Sequence, residues 1–303
     1  MNCLAFGEVL WDIFDDRKEI GGAPFNFSAF LSRLGLNAYI ATAVGNDALG
    51  KEALNIMDRF GVKRDYVKVA DFPTGTCTVS CNIYGKPQYN LAQPVAWDHI
   101  DICNNLLNDV SQGRFELLYL GTLALRNSSN FSALETLLNN GQFKYVFCDL
   151  NLRQNFYNRE RVEFDLKRCS ILKINREELF YLAKENYIDS INVSQSDFYK
   201  SACTQISQKY QIQLVLLTLD KDGALVYDAL NNEVYKSQKP KNKAVSCVGA
   251  GDSFSAAFIA NFLYGYPVLE CTERAVMLSD YVVTQCGAVP DCPQELINLI
   301  KPK

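Results

Sequence analysis

The sequence predicts an α/β fold in which a mostly parallel central sheet is covered by helices on both faces. Two observations predict it. Short strand-like segments alternate with helix-length segments along all 303 residues, and the helical segments carry apolar residues at helical spacing. The composition, with 48% hydrophobic and 21% charged residues, is that of an ordinary globular protein. Because no repeat or linker interrupts the alternation, we expect one domain covering residues 1–303.

The individual elements are predicted in chain order from apolar runs and their spacing. Strands are expected at Leu4–Phe6, Tyr39–Val44, Leu117–Gly121, Tyr145–Asp149, Ile171–Ile174 and Leu214–Leu219. Helices are expected at Pro24–Leu34, Ser129–Asn139, Glu177–Ala183 and Asp197–Tyr210. A fold of this kind binds its ligands beyond the carboxyl ends of the strands.

Two stretches interrupt the alternation. The residues that follow the first strand, from Val9 to Phe14, have no helical period, and Thr74–Tyr84 is β-prone and alternating. A turn at Gly85-Lys86-Pro87 joins the second stretch to Gln88–Leu91. We therefore expect a small antiparallel sheet that projects from the main domain and closes over a ligand as a lid. The lid is expected within about residues 9–17 and 72–92.

Charge and composition exclude several classes of function. The net charge of −4, without a basic stripe, argues against binding to nucleic acid or a membrane surface. No apolar run is long enough to span a bilayer and the N-terminus lacks a basic start, so we expect a cytoplasmic protein. We therefore expect the eleven cysteines to be reduced thiols. With His99 as the single histidine, at the entry to a helix, proton transfer is expected from a carboxylate.

The stretch Val248–Phe254 is the most informative feature of the chain. A turn of small residues, Gly249-Ala250-Gly251, opens onto a helix that carries Asp252 in its first turn. Free N–H groups and the helix dipole favour a phosphate there, and a carboxylate beside a hydroxyl can accept its proton. Asp252 could equally be a helix cap and the glycines a tight turn. The residues alone leave both interpretations open.

A second stretch, Gly45–Glu52, nearly matches the phosphate-binding P-loop. That loop needs Ser or Thr as a magnesium ligand at its last position, and Glu52 would bring a negative charge to the nucleotide instead. We therefore predict a turn that caps a helix at Ala48–Phe60.

Motifs along the whole chain resemble those of ribokinase-like (PfkB-type) carbohydrate kinases. Gly21–Asn26 (Gly-Gly-Ala-Pro-Phe-Asn) and Val248–Phe254 are similar to the two signatures of that family. Four further motifs follow in the family's order: Gly45-x-Asp47-x-x-Gly50, Asp149-x-Asn151-x-Arg153, Asn175-x-x-Glu178 and Leu217-Thr218-Leu219. The stretches most similar to fructokinases are Gly7–Asp12, Gln93–Asp98 and Gln285–Ala288.

The resemblance implies a ribokinase-like fold and an ATP-dependent kinase that phosphorylates the primary hydroxyl of a hexose, with fructose converted to fructose 6-phosphate. It leaves open a ribose, 2-keto-3-deoxygluconate or nucleoside kinase. It also leaves open a kinase-like binding protein without catalysis. ATP and Mg²⁺ are the implied cofactors, and a homodimer formed through the lid sheets is implied as the assembly.

Roles for individual residues follow from the same resemblance. Asp252 would be the general base, and the backbone N–H groups of Gly249, Ala250 and Gly251 would form the anion hole. The residues that would bind the sugar are Asp12, Gly21, Gly22, Asn26 and Arg153. For the last of these, an ion pair with Asp149 is an equally good alternative.

The nucleotide and metal positions are implied in the same way. Asn175 and Glu178, one helical turn apart, would organise magnesium, the glutamate through water; the same pair also fits a capping box, and both roles can hold together. The residues that would bind the nucleotide are Asn175, Thr218, Asp220, Gly223, Gly249 and Gly251. The adenine would lie near residues 218–223 and a loop at Ala275–Ser279.

The sequence departs from the family pattern at two places. Asp220 stands where glycine is usual, which leaves the path of the nucleotide loop open. Ser246-Cys247 stand where Asp-Thr is usual, at positions that bind a monovalent cation in many members. The lost carboxylate argues against activation by K⁺. These departures are also what motivates the alternative of a protein that has lost catalysis.

Overall fold

The structure is a computed structural model that describes residues 1–81, 87–189 and 195–302. Within these residues nine strands form one sheet. They are β1 (Asn2–Phe6), β4 (Asn37–Gly45), β5 (Lys63–Ala70), β8 (Leu117–Gly121), β9 (Tyr145–Asp149), β10 (Ile171–Asn175), β11 (Leu214–Thr218), β12 (Ala224–Asp228) and β13 (Glu233–Lys236). Their order across the sheet is β13-β12-β11-β10-β9-β8-β1-β4-β5.

The sheet is mostly parallel, as predicted. All neighbours from β5 to β11 in this order pair in parallel. The hairpin strands β12 and β13 add an antiparallel edge beside β11. The six predicted strands are confirmed. The two edges were not predicted: β5 is largely exposed and half of its residues are charged, and β12 and β13 are a short hairpin.

Helices cover both faces of the sheet. They are α1 (Ala23–Arg33), α2 (Ala48–Phe60), α3 (Asn104–Ser111), α4 (Ser128–Asn140), α5 (Arg159–Arg168), α6 (Arg176–Lys184), α7 (Gln195–Tyr210), α8 (Ala250–Leu263), α9 (Val268–Val282) and α10 (Gln294–Ile300). One core lies under α1, α2, α8, α9 and α10, and a second core lies under α3 to α7. The predicted helices are confirmed to within two residues at each end, and His99 lies in a short 3-10 helix, Ala96–His99.

The P-loop-like stretch is a helix cap, as predicted. The Asp47 carboxylate accepts a hydrogen bond from the N–H of Gly50 at 2.7 Å and caps the start of α2. The same carboxylate accepts from the N–H and hydroxyl of Thr74. Glu52 forms an ion pair with Lys18. This loop is therefore a helix cap, in which the Asp47 carboxylate links the start of α2 to Thr74.

A second, four-stranded sheet follows the order β3-β2-β6-β7. Its strands, within the described residues, are β2 (Leu10–Ile13), β3 (Lys18–Gly21), β6 (Gly75–Cys81) and β7 (Pro87–Leu91). This confirms the predicted small sheet; Asn82–Lys86, which include the end of the predicted strand and most of its turn, lie outside the described residues. The two hairpins are antiparallel, but the central pair β2–β6 is parallel.

The parallel pair in the small sheet has a simple cause. β2 follows directly from the carboxyl end of β1, and β6 follows from the carboxyl end of β5. Since β1, β4 and β5 run in the same direction, both continuations leave the large sheet the same way. The small sheet therefore lies at the edge where the parallel strands end, which is where ligands bind in such folds.

No helix in the described ranges is both long and apolar enough to cross a bilayer. The cysteines whose side chains the structure describes are free thiols, most of them buried.

Candidate active site

The glycine turn before α8 depends on glycine for its shape. Gly249 has φ 78°, and a Cβ atom built on it would overlap the carbonyl oxygen of Ala288. The chain before the turn is held by Val283, whose carbonyl oxygen accepts from the N–H groups of Val245 and Ser246. Only glycine combines this left-handed backbone with so close an approach. The turn is therefore built to present backbone at the start of α8.

The N–H groups at this turn are mostly free of helical partners. A helix that begins at Ala250 leaves the N–H groups of Gly251 and Asp252 without an acceptor in the helix. The N–H of Ala250 lies 3.4 Å from the carbonyl oxygen of Cys247, which is a long bond. The helix dipole adds positive potential at the same place. This arrangement can bind an anion.

Asp252 meets Asn26 across the site. The Asn26 side-chain amide donates to an Asp252 carboxylate oxygen at 2.7 Å, which joins α8 to α1. Burial raises the pKa of Asp252 to about 6, the charge of Asp149 adds to the shift, and the hydrogen bond from Asn26 and the charge of Lys173 oppose it. At neutral pH the group is a carboxylate whose proton affinity suits a general base.

Asn26 has one polar atom unused. Its amide nitrogen binds Asp252, but its carbonyl oxygen is buried and has no partner among the described residues. Buried polar atoms are normally hydrogen-bonded. A donor supplied by a ligand, such as a hydroxyl group, would satisfy it.

The small sheet brings further polar groups to this region. Cross-strand register places Asp12 of β2 opposite Glu19 of β3 and Cys77 of β6. Burial raises the pKa of Asp12 to about 6, the Glu19 carboxylate adds to the shift, and the Cys77 thiol opposes it by hydrogen bonding. A Cβ on Gly21 would lie 3.0 Å from a carboxylate oxygen of Asp12. Asp12 and Gly21 therefore lie close together.

Arg153 is exposed in the loop after β9. Its positive charge lowers the pKa of both Asp12 and Asp252, although burial keeps both pKa values raised. The ion pair with Asp149 that the sequence left open does not form. Asp149 pairs with Lys173 instead. The Lys173 Nζ lies 3.0 Å from an Asp149 carboxylate oxygen, and both groups are buried.

Lys173 was missed by sequence reasoning. Its Nζ lies 3.0 Å from the position of a Cβ on Gly251, so the ammonium group is directly beneath the glycine turn. Burial lowers the pKa of Lys173, but the charge of Asp149 and other carboxylates outweighs it and holds the group protonated. The available signal was a single lysine inside the apolar strand Ile171–Asn175. Charged residues are rarely buried unless they are paired.

Glu8 was also missed as a site residue, although it lies within a quoted motif. It is 3% exposed and follows β1 directly. A carboxylate oxygen of Glu8 accepts from the N–H of Ala23 at 3.2 Å. Burial raises the pKa of Glu8 to about 7, and the nearby Asp252 raises it further.

Asn175 and Glu178 form the predicted capping box at the start of α6. Asn175 accepts from the N–H of Glu178 at 2.9 Å, and Glu178 accepts from the N–H of Asn175 at 2.8 Å. The other Glu178 oxygen accepts from the N–H of Leu152 at 3.0 Å. Burial raises the pKa of Glu178 and the charge of Lys173 opposes that shift.

These residues fit a cation that is held through water better than one held directly. Among the described residues, no group of three or more His, Cys, Asp or Glu side chains is arranged to hold a metal ion. Both Glu178 oxygens already accept an N–H, and each keeps a second lone pair for a water molecule. Magnesium retains much of its hydration in proteins.

Three of the six predicted nucleotide residues lie at the end of β11 and in the loop that follows it. Thr218 ends β11 directly beside Asn175 of β10. Asp220 has φ 53° and Gly223 has φ 87°, so both occupy the left-handed region that glycine adopts without strain. Aspartate tolerates this region better than most residues, because its short side chain bonds locally. The departure from glycine at Asp220 therefore leaves the turn intact.

A cleft of about 250 Å³ adjoins this loop. It lies between the segment 237–241 and one face of α9, with Val276 and Met277 on its wall. The predicted adenine segment Ala275–Ser279 is thus a helix and not a loop, because it lies within α9. Beside the cleft, Asp222 pairs with both Arg176 and Lys239, at 2.9 and 3.0 Å.

Comparison with known proteins gives relatives over nearly the full length. The chain is 24% identical to an ATP-dependent 6-phosphofructokinase of Thermoanaerobacterium thermosaccharolyticum, covering 98% of this chain and 92% of that protein. It is 26% identical to a fructokinase of Klebsiella pneumoniae, covering 89% and 84%.

Solved structures give the same picture of the fold. A 2-dehydro-3-deoxygluconokinase from Thermotoga maritima superposes with a TM-score of 0.82 at 23% identity, covering 98% of each chain. A fructokinase from Vibrio cholerae, solved with fructose, ADP and calcium bound, superposes with a TM-score of 0.79 at 22% identity, covering 99% of each chain. Residues 3–295 match the pfkB family carbohydrate kinases, and the chain belongs to this family.

Proposed function

We propose that the protein transfers the γ-phosphoryl group of ATP to the primary hydroxyl of a hexose, and that fructose is its substrate. The observation that carries the proposal is the pairing of Asp252 with Asn26 beside the N–H-rich turn at Gly249. A proton acceptor, a hydroxyl ligand and an anion site meet where the first turns of α1 and α8 lie together. Fructokinases among the relatives favour fructose as the acceptor.

Asp252 acts as the general base. As the sugar oxygen forms its bond to the γ-phosphorus, the hydroxyl proton passes to an Asp252 carboxylate oxygen. The bond between the γ-phosphorus and the β,γ-bridging oxygen breaks, and ADP leaves with the electron pair. The pKa of about 6 lets Asp252 accept this proton at neutral pH.

The glycine turn stabilises the charge on the transferred group. The N–H groups of Gly249, Ala250 and Gly251 lie at the positive end of the α8 dipole. Lys173 lies beneath them with its ammonium group near Gly251. These groups are fixed before the reaction, so no reorganisation is needed as charge develops.

The sugar is held from the small-sheet side. Asp12 accepts hydrogen bonds from sugar hydroxyls, and the free carbonyl oxygen of Asn26 accepts another. Gly21 and Gly22 let the backbone approach the sugar, and Arg153 faces the same space. The surrounding carboxylates favour an uncharged sugar over a sugar acid or phosphate.

The nucleotide lies along the edge formed by the ends of β10 and β11. Thr218, Asp220 and Gly223 line its phosphate and ribose side, and the cleft beside α9 receives the adenine. Mg²⁺ bound with ATP would neutralise phosphate charge, with Asn175 and Glu178 holding it, the glutamate through water. The Ser246-Cys247 pair supplies no carboxylate for K⁺, so we expect no activation by that ion.

We also propose a homodimer in which the small sheets of two chains meet and serve as lids. Among the residues that the structure describes, β3 and β7 are the edge strands of the small sheet and each pairs on one side only. Unpaired strand edges tend to be covered, and a second copy would cover them. Light scattering at micromolar protein concentration tests this, and a monomeric mass would exclude it.

The activity itself is tested by measuring ADP release with a panel of acceptors: fructose, ribose, 2-keto-3-deoxygluconate, fructose 6-phosphate and a nucleoside. Fructose should give the highest kcat/KM. If another acceptor gave the highest kcat/KM, it would replace fructose as the proposed substrate, and the protein would still be a kinase. ATP binding without phosphorylation of any acceptor would favour the non-catalytic alternative.

The sugar side of the site is tested with Asp12→Asn. This variant should raise the KM for the sugar and leave the KM for ATP unchanged. Asp15→Asn, an exposed acid three residues away, is the matched control. Equal effects of the two variants would remove Asp12 from the sugar site.

A further inference from the structure

Glu8 lies between the end of β1 and the start of α1. A Cβ on Gly7 would lie 2.6 Å from Pro24, and a Cβ on Gly22 would overlap the carbonyl oxygen of Glu8. Gly22 thus allows the strand end and the helix start to pack backbone against backbone, and Gly7 makes room for the Pro24 ring. This packing buries the Glu8 side chain, which is 3% exposed.

The first turn of α1 has little means of capping itself. Its N-cap residue is Gly22, which has no side chain, and Pro24 contributes no N–H. Of the remaining free N–H groups, that of Ala23 donates to a Glu8 carboxylate oxygen at 3.2 Å. A carboxylate from another element therefore accepts one of the free N–H groups of this first turn, which a capping side chain would otherwise do.

That same turn carries Asn26 to Asp252. The N–H of Asn26 donates to the carbonyl oxygen of Gly22 at 2.9 Å, which closes the turn. The Asn26 side chain then donates to Asp252 at 2.7 Å. The contacts run from Glu8 through Ala23 and Gly22 to Asn26 and end on the proposed base.

We propose that Glu8 is a positioning residue that caps α1 from the strand side and thereby sets the placement of Asn26 against Asp252. The proposal rests on the proposed function for its kinetic consequences, but its structural part stands on the contacts alone. Glu8 need not touch the sugar or the phosphate.

The charge of Glu8 is coupled to the site as well. The groups that face it are Asp252 of α8, Arg153 of the loop after β9 and Tyr119 of β8. Burial raises the pKa of Glu8 to about 7 and the pKa of Asp252 to about 6, while Tyr119 stays a neutral phenol because burial raises its pKa further. The charge of Asp252 disfavours ionisation of Glu8, so the two acids are electrostatically coupled.

Two variants separate positioning from charge. Glu8→Gln keeps a carbonyl oxygen for the Ala23 N–H and removes the ionisation, whereas Glu8→Ala removes both. Glu8→Ala should lower kcat/KM for the sugar at least tenfold with the KM for ATP unchanged. Glu8→Gln should stay within about threefold of the wild type at pH 6 and lose any inflection near pH 7. Glu116→Ala is the matched control, since its carboxylate accepts the N–H of Asn2 at 2.6 Å far from the site.

Hydrogen exchange supplies a readout that needs no activity. Glu8→Ala should speed exchange of the α1 amides at Ala23 and Asn26 at least tenfold, and Glu8→Gln and Glu116→Ala should not. Unchanged exchange in folded Glu8→Ala would overturn the proposal. Kinetics as poor in Glu8→Gln as in Glu8→Ala would also overturn it, because the carboxylate itself would then be required. If the wild type phosphorylates no acceptor while the exchange result holds, the proposed function fails and the positioning role stands.

Discussion

Asn26 and Asp252 are 226 residues apart in the chain and joined by a hydrogen bond of 2.7 Å. The bond connects the first turns of α1 and α8, which lie side by side on one face of the large sheet. Each helix presents its own glycine-bearing start to the same point. The two family signatures therefore form one site because two helix N-termini meet.

Asp252, as the proposed base, should be required for turnover. Asp252→Asn should lower kcat by about 10²–10⁴-fold or more, because the hydroxyl proton then has no acceptor. The fold should persist, since a neutral amide avoids the cost of burying a charge. Steady-state kinetics and a thermal melt measure both. A variant that turns over near the wild-type rate would disprove the assignment of Asp252.

The pH dependence follows from the same group. The pKa of Asp252 is about 6, so kcat/KM should fall as the pH drops through 6 and the base becomes protonated. Asp12, also near 6, contributes to the same fall. A rate profile from pH 5 to 8 tests this. A flat profile down to pH 5 would contradict it.

The contribution of Asp252 to folding stability should change with pH in the opposite sense to the reaction rate. The folded pKa of Asp252 lies above its unfolded value of 3.8, so the unfolded chain releases the proton first. Its contribution to stability is therefore complete below about pH 4 and is lost as the pH rises through 6. The Tm of Asp252→Asn relative to the wild type should increase between pH 4 and pH 8. A constant Tm difference would show that the folded pKa is not raised.

The glycine turn is tested with alanine. Gly249→Ala places a Cβ onto the carbonyl oxygen of Ala288 and forces a left-handed alanine, so it should lower both the Tm and kcat. Gly35→Ala is the matched control, because Gly35 also has a positive φ of 90° but a Cβ there meets nothing within 4 Å. The control should cost only about 1–2 kcal/mol of folding free energy, from the backbone conformation. Equal losses in the two variants would mean that the contact with Ala288 is unimportant.

The buried ion pair of Lys173 and Asp149 should matter for both stability and activity. Lys173→Met leaves Asp149 buried and unpaired, which should cost about 3–5 kcal/mol of unfolding free energy. The double variant with Asp149→Asn should recover part of that stability but not the activity, because the charge beneath the turn is still absent. The exposed pair Arg64–Asp58 serves as the control, and its removal should cost at most about 1 kcal/mol. Full activity in the double variant would remove Lys173 from the anion site.

The sequence by itself determined the parts of this protein that depend on local chemistry. Apolar spacing predicted six of the parallel strands and the helices between them, and the small residues Gly249-Ala250-Gly251 predicted a turn that opens onto a helix. The pattern of Asn175 and Glu178 predicted both a capping box and its place at the start of α6. Each of these follows from residues within one or two turns of one another, where spacing translates directly into geometry.

Only the tertiary structure decided which distant groups meet. It paired Asp149 with Lys173 rather than Arg153, because β9 and β10 are neighbours in the sheet while Arg153 lies in an exposed loop. It buried Glu8 against the start of α1, although nothing in the local sequence marks that carboxylate as a cap. Such contacts depend on how the strands are ordered and how the helices pack. One-dimensional spacing does not contain that information.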